Sequence, residues 1–409
     1  MSARSVLIVG AGIAGPTLAY WLHTYGFEPT VLERSPALRT GGHAVDIRGT
    51  ARTVAARTGI TAHVARAHTG AHGMAFVDHS GARLATLGTD GYGHSGGPVA
   101  EMAIRRTDLA RILFDVSHDH VEYLFGDTVI AIDQDDDGVQ VELASGVSRR
   151  FDLLVGADGI GSSVRQLQFG APEEFIRDLG CYIALFSTPS TIDLDGWQLM
   201  HTMCAGSGRP GRTAALAPVP EQGRALAGFF WRSEPAGFDR DDVEAQRQLV
   251  RNTFDGDGWV IPELLATIED AQDFFFDRAS QVQMPSWSRG RVALLGDAAS
   301  CASPMSGIGT SLAMVGGYVL AGELAAAEGN HHVAYARYER EMRGFADRAQ
   351  AFARSSGDGG LMPRSRAHLW WRNASLRLLR LMPRQLVARG MERVASTVEL
   401  RDYPVLAPH

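Results

Sequence analysis

The chain has 409 residues, enough for about two to three domains at roughly 150 residues each. Hydrophobic residues make up 45% and charged residues 21%, which permits a sizeable core and excludes a disordered or collagen-like chain. The net charge of -7 excludes a general nucleic-acid binder, whose affinity rests on a basic surface meeting phosphates. All 39 basic residues are arginine, so there is no lysine for a pyridoxal Schiff base or a Walker-type phosphate loop. Cys181, Cys204 and Cys301 are odd in number and lack CxxC spacing, which disfavours a disulfide framework and a cysteine zinc site. No metal site and a reducing, cytoplasmic setting are the expectation.

In chain order, residues 5 to 9 (SVLIV) predict a buried strand, 14 to 25 a helix and 29 to 33 a second strand, a βαβ opening. The glycines and Pro16 that break the apolar start argue against an export signal. Helical spacing recurs from Thr107, a plausible N-cap, to Val116, and short strands are expected near 127 to 133, 138 to 144 and 151 to 156. Residues 178 to 284 alternate aromatic and β-branched runs with turn signals, which predicts a second, largely antiparallel sheet. Val292 to Leu295 then predicts a return to a buried parallel strand. The stretch from Ser306 to Ala327 is too broken by glycine and by Glu323 for a membrane span and predicts a buried helix. Beyond residue 330 the chain predicts arginine-rich amphipathic helices, with Leu369 to Leu381 in helical period and the charges read as a solvated face.

The strongest motif is V-G-A-G-I-A-G-P, with Gly10, Gly12 and Gly15 between the first strand and helix. Gly10 permits the tight turn, Gly12 lets backbone approach a pyrophosphate and Gly15 allows close helix packing, while the helix N-terminus favours negative charge. Glu33 ends the second strand where a carboxylate can accept from ribose hydroxyls and repel a 2′-phosphate, which points to FAD or NAD rather than NADP in this fold. Gly206 to Gly211 also fits GxGxxG, but Pro210, Pro218 and Pro220 leave no room for a helix. Gly93 to Gly97 fits the GxSxG of hydrolases without the buried strand that an elbow needs. The pairs His118/His120 and His331/His332 lack metal-ligand spacing. Two further strand ends carry motifs: Asp158-Gly159, followed by Arg165, and Gly296-Asp297, followed by a Pro/Gly turn.

With these three motifs in place, residues 4 to 350 resemble the class A flavoprotein monooxygenases, the family of para-hydroxybenzoate hydroxylase and the tetracycline-degrading monooxygenases. Glu33-Arg34, the G-G-H-A-V-D loop ending at Asp46 and the R-T-D-L starting at Arg106 also match. The resemblance implies an α/β fold in which a Rossmann-type FAD-binding domain (1–72, 104–176 and 286–350) is interleaved with an antiparallel-sheet substrate domain (73–103 and 177–285), followed by a C-terminal helical segment (351–409). It implies cofactor contacts at Gly10, Gly12, Ala14, Gly15, Glu33, Arg34, Asp46, Arg106, Val129, Asp158, Asp297, Gly307 and Gly309. NADPH or NADH would reduce FAD, O2 would add as a flavin C4a-hydroperoxide, and an aromatic or polyketide-like substrate would gain one oxygen, with no nucleic acid and no membrane span involved.

The sheet aromatics Tyr182, Phe186, Trp197, Phe229 and Trp231 are the candidate substrate pocket, with His201 as a candidate base and Arg48 as a second catalytic candidate. Three positions depart from the family pattern: Ser300 stands for a common histidine, Ser311 for asparagine and Gly316 for aspartate. Serine at 300 and 311 predicts a roomier or wetter flavin site. These departures keep open a protein that holds flavin without oxygenating, as a cyclase or isomerase. A plain NAD dehydrogenase would leave Gly296-Asp297 unused, and a flavin halogenase would need a lysine.

Overall fold

The β-branched run at the start of the chain forms the strand Ser5–Val9, buried at four of its five positions. In the computed structural model, which describes residues 4–38, 44–88, 102–190, 192–206, 208–219, 221, 223–234, 242–356, 361–379 and 398–403, this strand lies inside a six-stranded sheet. It pairs in parallel with Glu28–Glu33 on one side and Leu153–Gly156 on the other. Glu122–Phe125 extends the sheet beyond the second strand, and Val292–Leu294 then Ser288–Arg289 extend it at the other edge. Continuous apolar runs buried on both faces are what such a parallel sheet requires.

The helix Ala14–Thr24 covers this sheet beside the helix Gly309–Ala326, which is buried almost all round. The two cross closely because Gly317 has no side chain: a Cβ there would lie 3.1 Å from the Leu18 backbone nitrogen. The expected strand at 151 to 156 is two strands. Ser148–Phe151 belongs to an antiparallel meander with Val129–Gln134 and Val139–Leu143, whereas Leu153–Gly156 joins the parallel sheet. Asp152 makes the switch, because its carboxylate accepts from the Arg4 amide (2.9 Å), the Ser5 amide (2.8 Å) and the Ser5 hydroxyl (2.7 Å). The helix expected from Thr107 runs from Arg106 to Asp115 and starts after Arg105, with no side-chain cap, so Thr107 is not its N-cap.

A seven-stranded sheet runs in the order Phe275–Val282, Ile176–Pro189, Arg224–Arg232, Arg212–Pro218, Trp197–Met203, Gly73–Val77, Arg83–Gly88. All its neighbours are antiparallel except Trp197–Met203 with Gly73–Val77. Gly206 and Arg209 exchange backbone hydrogen bonds in a turn between two of its strands, without a helix. One face is covered by the helices Val243–Phe254 and Ile261–Ala266, which the sequence reading did not anticipate. The Asp242 carboxylate caps the first by accepting from the Ala245 amide at 2.9 Å. The Gly93 to Gly97 string and residues 41 to 43 lie outside the described residues.

Helices His331–Ser356 and Arg366–Leu379 follow, and residues 398 to 403 return to the first sheet's helices. There the Tyr403 ring occupies the space a side chain at Gly322 would need, and its hydroxyl donates to Glu323 at 3.1 Å.

The start of the first helix is the least forgiving packing point, because a Cβ on Gly15 would overlap the Gly10 carbonyl oxygen. Gly15→Ala is expected to lower stability by at least about 2 kcal/mol, the scale of overpacking against unyielding backbone. Chemical denaturation of the FAD-free protein measures it.

Candidate cofactor site

Three adjacent parallel strands, Ser5–Val9, Leu153–Gly156 and Val292–Leu294, release their chains at the same sheet edge, so the three motif loops converge. Gly10, at φ +111°, backs onto the second loop: a Cβ there would lie 2.6 Å from the Ala157 carbonyl oxygen and 3.0 Å from the Asp158 Cα. Gly296, at φ +62°, backs onto the first helix, where its Cβ would lie 3.1 Å from that of Ala14. A Cβ on Gly309 would lie 3.9 Å from the Asp297 carboxylate. Gly10, Ala14, Gly15, Asp158, Asp297 and Gly309 are thus within one or two contacts of each other.

Gly12 is different in kind. A Cβ there would meet nothing nearer than the Arg106 guanidinium at 3.9 Å, so this glycine borders open space. Arg106 is exposed and makes no hydrogen bond or ion pair among the described residues. The helix beginning at Ala14 has no side-chain cap and no acidic residue in its first turn, which leaves its N–H groups available. Asp158 adds an acceptor. One carboxylate oxygen accepts from the Ser163 amide (2.7 Å), the Ser163 hydroxyl (3.0 Å) and the Val164 amide (3.2 Å), while the other is buried without a partner. A lone cation, free helix N–H groups and an orphaned buried acceptor suit a ligand carrying both an anionic diphosphate and hydroxyl donors, as FAD does.

Glu33 has a second task that its spacing did not reveal. Its carboxylate accepts from the Ala11 amide at 2.9 Å and the Ser35 amide at 3.0 Å, pinning the glycine loop while keeping lone pairs for a ribose. Arg34 beside it is exposed. Val129 is buried in the meander, paired with Leu143, so only its backbone is free to face a cofactor.

Arg165 is also more than its spacing suggested. It is 1% exposed, and its guanidinium donates to the Ala298 carbonyl at 3.0 Å and the Ile160 carbonyl at 2.5 Å, tying the second motif to the third. Burial pulls its pKa below the usual arginine value, opposed by the negative charge of Asp158.

At the far end of the site, Arg48 is 3% exposed and donates through Nε (3.0 Å) and Nη2 (2.5 Å) to Asp46. Its backbone N–H donates to the Ser311 hydroxyl at 3.1 Å, and that hydroxyl donates to the Arg48 carbonyl at 3.2 Å. Ser311 therefore fastens the Asp46–Arg48 loop to the helix that begins at Gly309. Gly307 is left-handed at φ +61° with open space where a side chain would be. Ser300 is buried at the end of the short helix Asp297–Ser300. Gly316 is a packing glycine, since a Cβ there would lie 2.9 Å from Leu295.

Strand alternation places the expected substrate residues on the face covered by the two helices. Tyr182, Phe186, Phe229 and Trp231, each at most 1% exposed, pack with Val250, Phe254, Ile261 and Leu264 in the core under the two covering helices. Trp197 flanks the same core with Arg83 over its ring at 5.3 Å. His201 shares this face: it is buried beside Trp259, and its Nδ1 donates to the Val77 carbonyl at 3.2 Å. Side chains one position along point the other way. Cys181 and Ile183 pack with Met305, just before Gly307, and Leu185 and Phe230 lie against the same cluster. Period-2 alternation separates the two faces of the sheet, and ring size alone does not tell which of them the helices cover.

A Cβ on Gly12 meets only the tip of Arg106, so Gly12→Ala is expected to leave FAD-free stability within about 0.5 kcal/mol while weakening FAD binding at least tenfold, about 1.4 kcal/mol. Titration of apoprotein with FAD, beside a melt, separates this from the folding defect at Gly15. His201 gives a pH test. Burial holds its pKa below 6.5, so the unfolded chain takes up a proton near pH 6.5 that the folded one resists, and stability falls as pH drops below that value. His201→Gln should shallow this decline and leave the pH profile of turnover unchanged; a shifted turnover profile would restore the base assignment.

The FAD binding domain family matches residues 3–353. An uncharacterized protein of Mycobacterium tuberculosis is 39% identical over 361 residues, covering 87% of this chain and 94% of that protein. A flavin-dependent monooxygenase of Legionella longbeachae is 37% identical over 347 residues, covering 85% and 87% respectively. The crystal structure of the tetracycline destructase Tet(51) superposes with a TM-score of 0.81 at 33% identity, over 98% of this chain and 100% of that one. The converging loops that suit FAD and these similarities agree, and the chain belongs to the class A FAD-dependent monooxygenases.

Proposed function

We propose that the protein uses NADPH or NADH to reduce FAD and transfers one atom of O2 to an aromatic or polyketide-like small molecule. The observation that carries this reading is the combination of a free cation, Arg106, beside the open space at Gly12 with an orphaned buried acceptor, the Asp158 carboxylate oxygen, on the loop that backs onto Gly10. Bound FAD supplies the electron transfer and the oxygen activation, and the protein supplies binding, orientation and exclusion of water. Gly12 and the N-terminus of Ala14–Thr24 receive the diphosphate with Arg106, Glu33 accepts from the adenosine ribose, and Asp158 and Asp297 accept from the remaining hydroxyls. The N-terminus of the 18-residue helix Gly309–Ala326 places positive dipole charge where reduced cofactor needs it.

The substrate is assigned to the sheet face that carries Ile183, Leu185 and Phe230, against Met305. That apolar wall suits a flat, largely apolar molecule, and the similarity to a tetracycline destructase supports a polycyclic one. Ser311 is engaged with the Arg48 backbone and Gly316 packs against the Leu295 side chain, which gives these two departures structural roles that an oxygenating enzyme can share.

Anaerobic mixing of the FAD-loaded protein with NADPH or NADH is expected to bleach the visible flavin absorbance. In air, with a panel of polycyclic phenols, a product heavier by one oxygen atom is expected by mass spectrometry. Flavin that stays oxidised with both nicotinamides would overturn the reading.

A further inference from the structure

Residues 359 to 391 hold seven arginines and no aspartate or glutamate, in a chain whose net charge is -7. The helix Arg366–Leu379 lies within this run. One side of it is seated on the seven-stranded sheet, with Leu376 buried beside Phe76, Ala85 and Leu87 and the Arg372 guanidinium 4.8 Å from the Phe76 ring centre. The opposite side carries Trp370, Trp371 and Leu378, exposed at 65%, 67% and 64%. These are the three most exposed large apolar side chains among the described residues; the others are exposed singly, on separate elements. At 100° per residue they fall on one stripe, bordered by the positions of Arg366 and Arg377.

Two adjacent tryptophans in water need a reason, since contiguous exposed apolar surface marks an interaction site. A protein groove could cover an apolar stripe of any composition. This stripe combines tryptophan, whose ring prefers the boundary between headgroups and acyl chains, with the exposed Arg366 at its border, in a stretch of sequence without acidic residues, and a planar guanidinium pairs with phosphate. No helix among the described residues is long and apolar enough to cross a membrane, so the stripe would lie on a bilayer rather than span one. We propose that Arg366–Leu379 docks the enzyme on an anionic phospholipid surface, with Trp370, Trp371 and Leu378 inserted at the interface. The proposal does not depend on the reaction assigned above, because none of these side chains belongs to the cofactor site.

The test is co-sedimentation of the full-length, FAD-loaded protein with sucrose-filled vesicles. Vesicles of phosphatidylglycerol with phosphatidylethanolamine are expected to bind at least tenfold more protein than phosphatidylcholine vesicles, and high salt is expected to release most of it. Trp370→Ser/Trp371→Ser is expected to reduce the bound fraction at least tenfold with an unchanged flavin spectrum, and Arg364→Gln/Arg366→Gln to reduce it severalfold. Brominated acyl chains should quench tryptophan emission of the wild type but not of the double serine variant. Protein that remains in the supernatant with anionic vesicles at low salt would overturn the proposal. So would equal binding by the double serine variant, or a concentration-dependent dimer in analytical ultracentrifugation that the double serine variant abolishes, which would assign the stripe to a second copy of the chain.

Discussion

The site depends on backbone meeting backbone where three strands end. Side chains longer than hydrogen would hold the loops after Val9, Gly156 and Leu294 apart, because Gly10, Gly15 and Gly296 each sit where a Cβ would press on a neighbouring carbonyl or on Ala14. Gly156 makes the same allowance within the sheet, since a Cβ there would lie 2.8 Å from Val164. Interiors this close-packed leave no slack for an added methyl group. Gly12 stands outside that constraint, and the contrast between a glycine enclosed by protein and one facing open space separates folding from binding in a single motif.

Convergence alone would leave the loops free to slide, and a buried cation fixes them. Arg165 brings its charge into the interior, an arrangement that is tolerable only when the guanidinium is fully hydrogen-bonded. It donates to carbonyls from both its own motif loop and the Gly296-Asp297 motif, and the negative charge of Asp158 opposes the cost of its burial. The same Asp158 caps the helix that carries Arg165, through the Ser163 and Val164 amides. Asp158 therefore holds one oxygen to the scaffold and keeps the other buried without a partner.

The legible and illegible parts of the sequence divide by the range of the forces involved. Gly10 to Glu33 could be read because the turn, the helix start and the strand end are local and their spacing is fixed by one βαβ unit. Ile183 against Tyr182 could not be decided, because the choice of face depends on which side the helices Val243–Phe254 and Ile261–Ala266 cover, and those helices went unread behind the aromatic runs around them. Asp242, capping the first of them, was the local signal available. Arg165 was legible as a position in a helix and illegible as a clamp, since its partner Ala298 is 133 residues away.

The departures at Ser311 and Gly316 follow the same logic. A residue that differs from a family pattern reads as a lost catalytic group only if its side chain faces the reaction. Ser311 is fully buried and spends its hydroxyl on both backbone polar groups of Arg48, so it positions the loop that carries the Asp46–Arg48 ion pair. Gly316 lies two turns from the helix start, where a Cβ would press on the Leu295 side chain at the end of the third motif strand. In this chain the first turn of the long buried helix is fastened through Ser311 to the loop that carries Arg48.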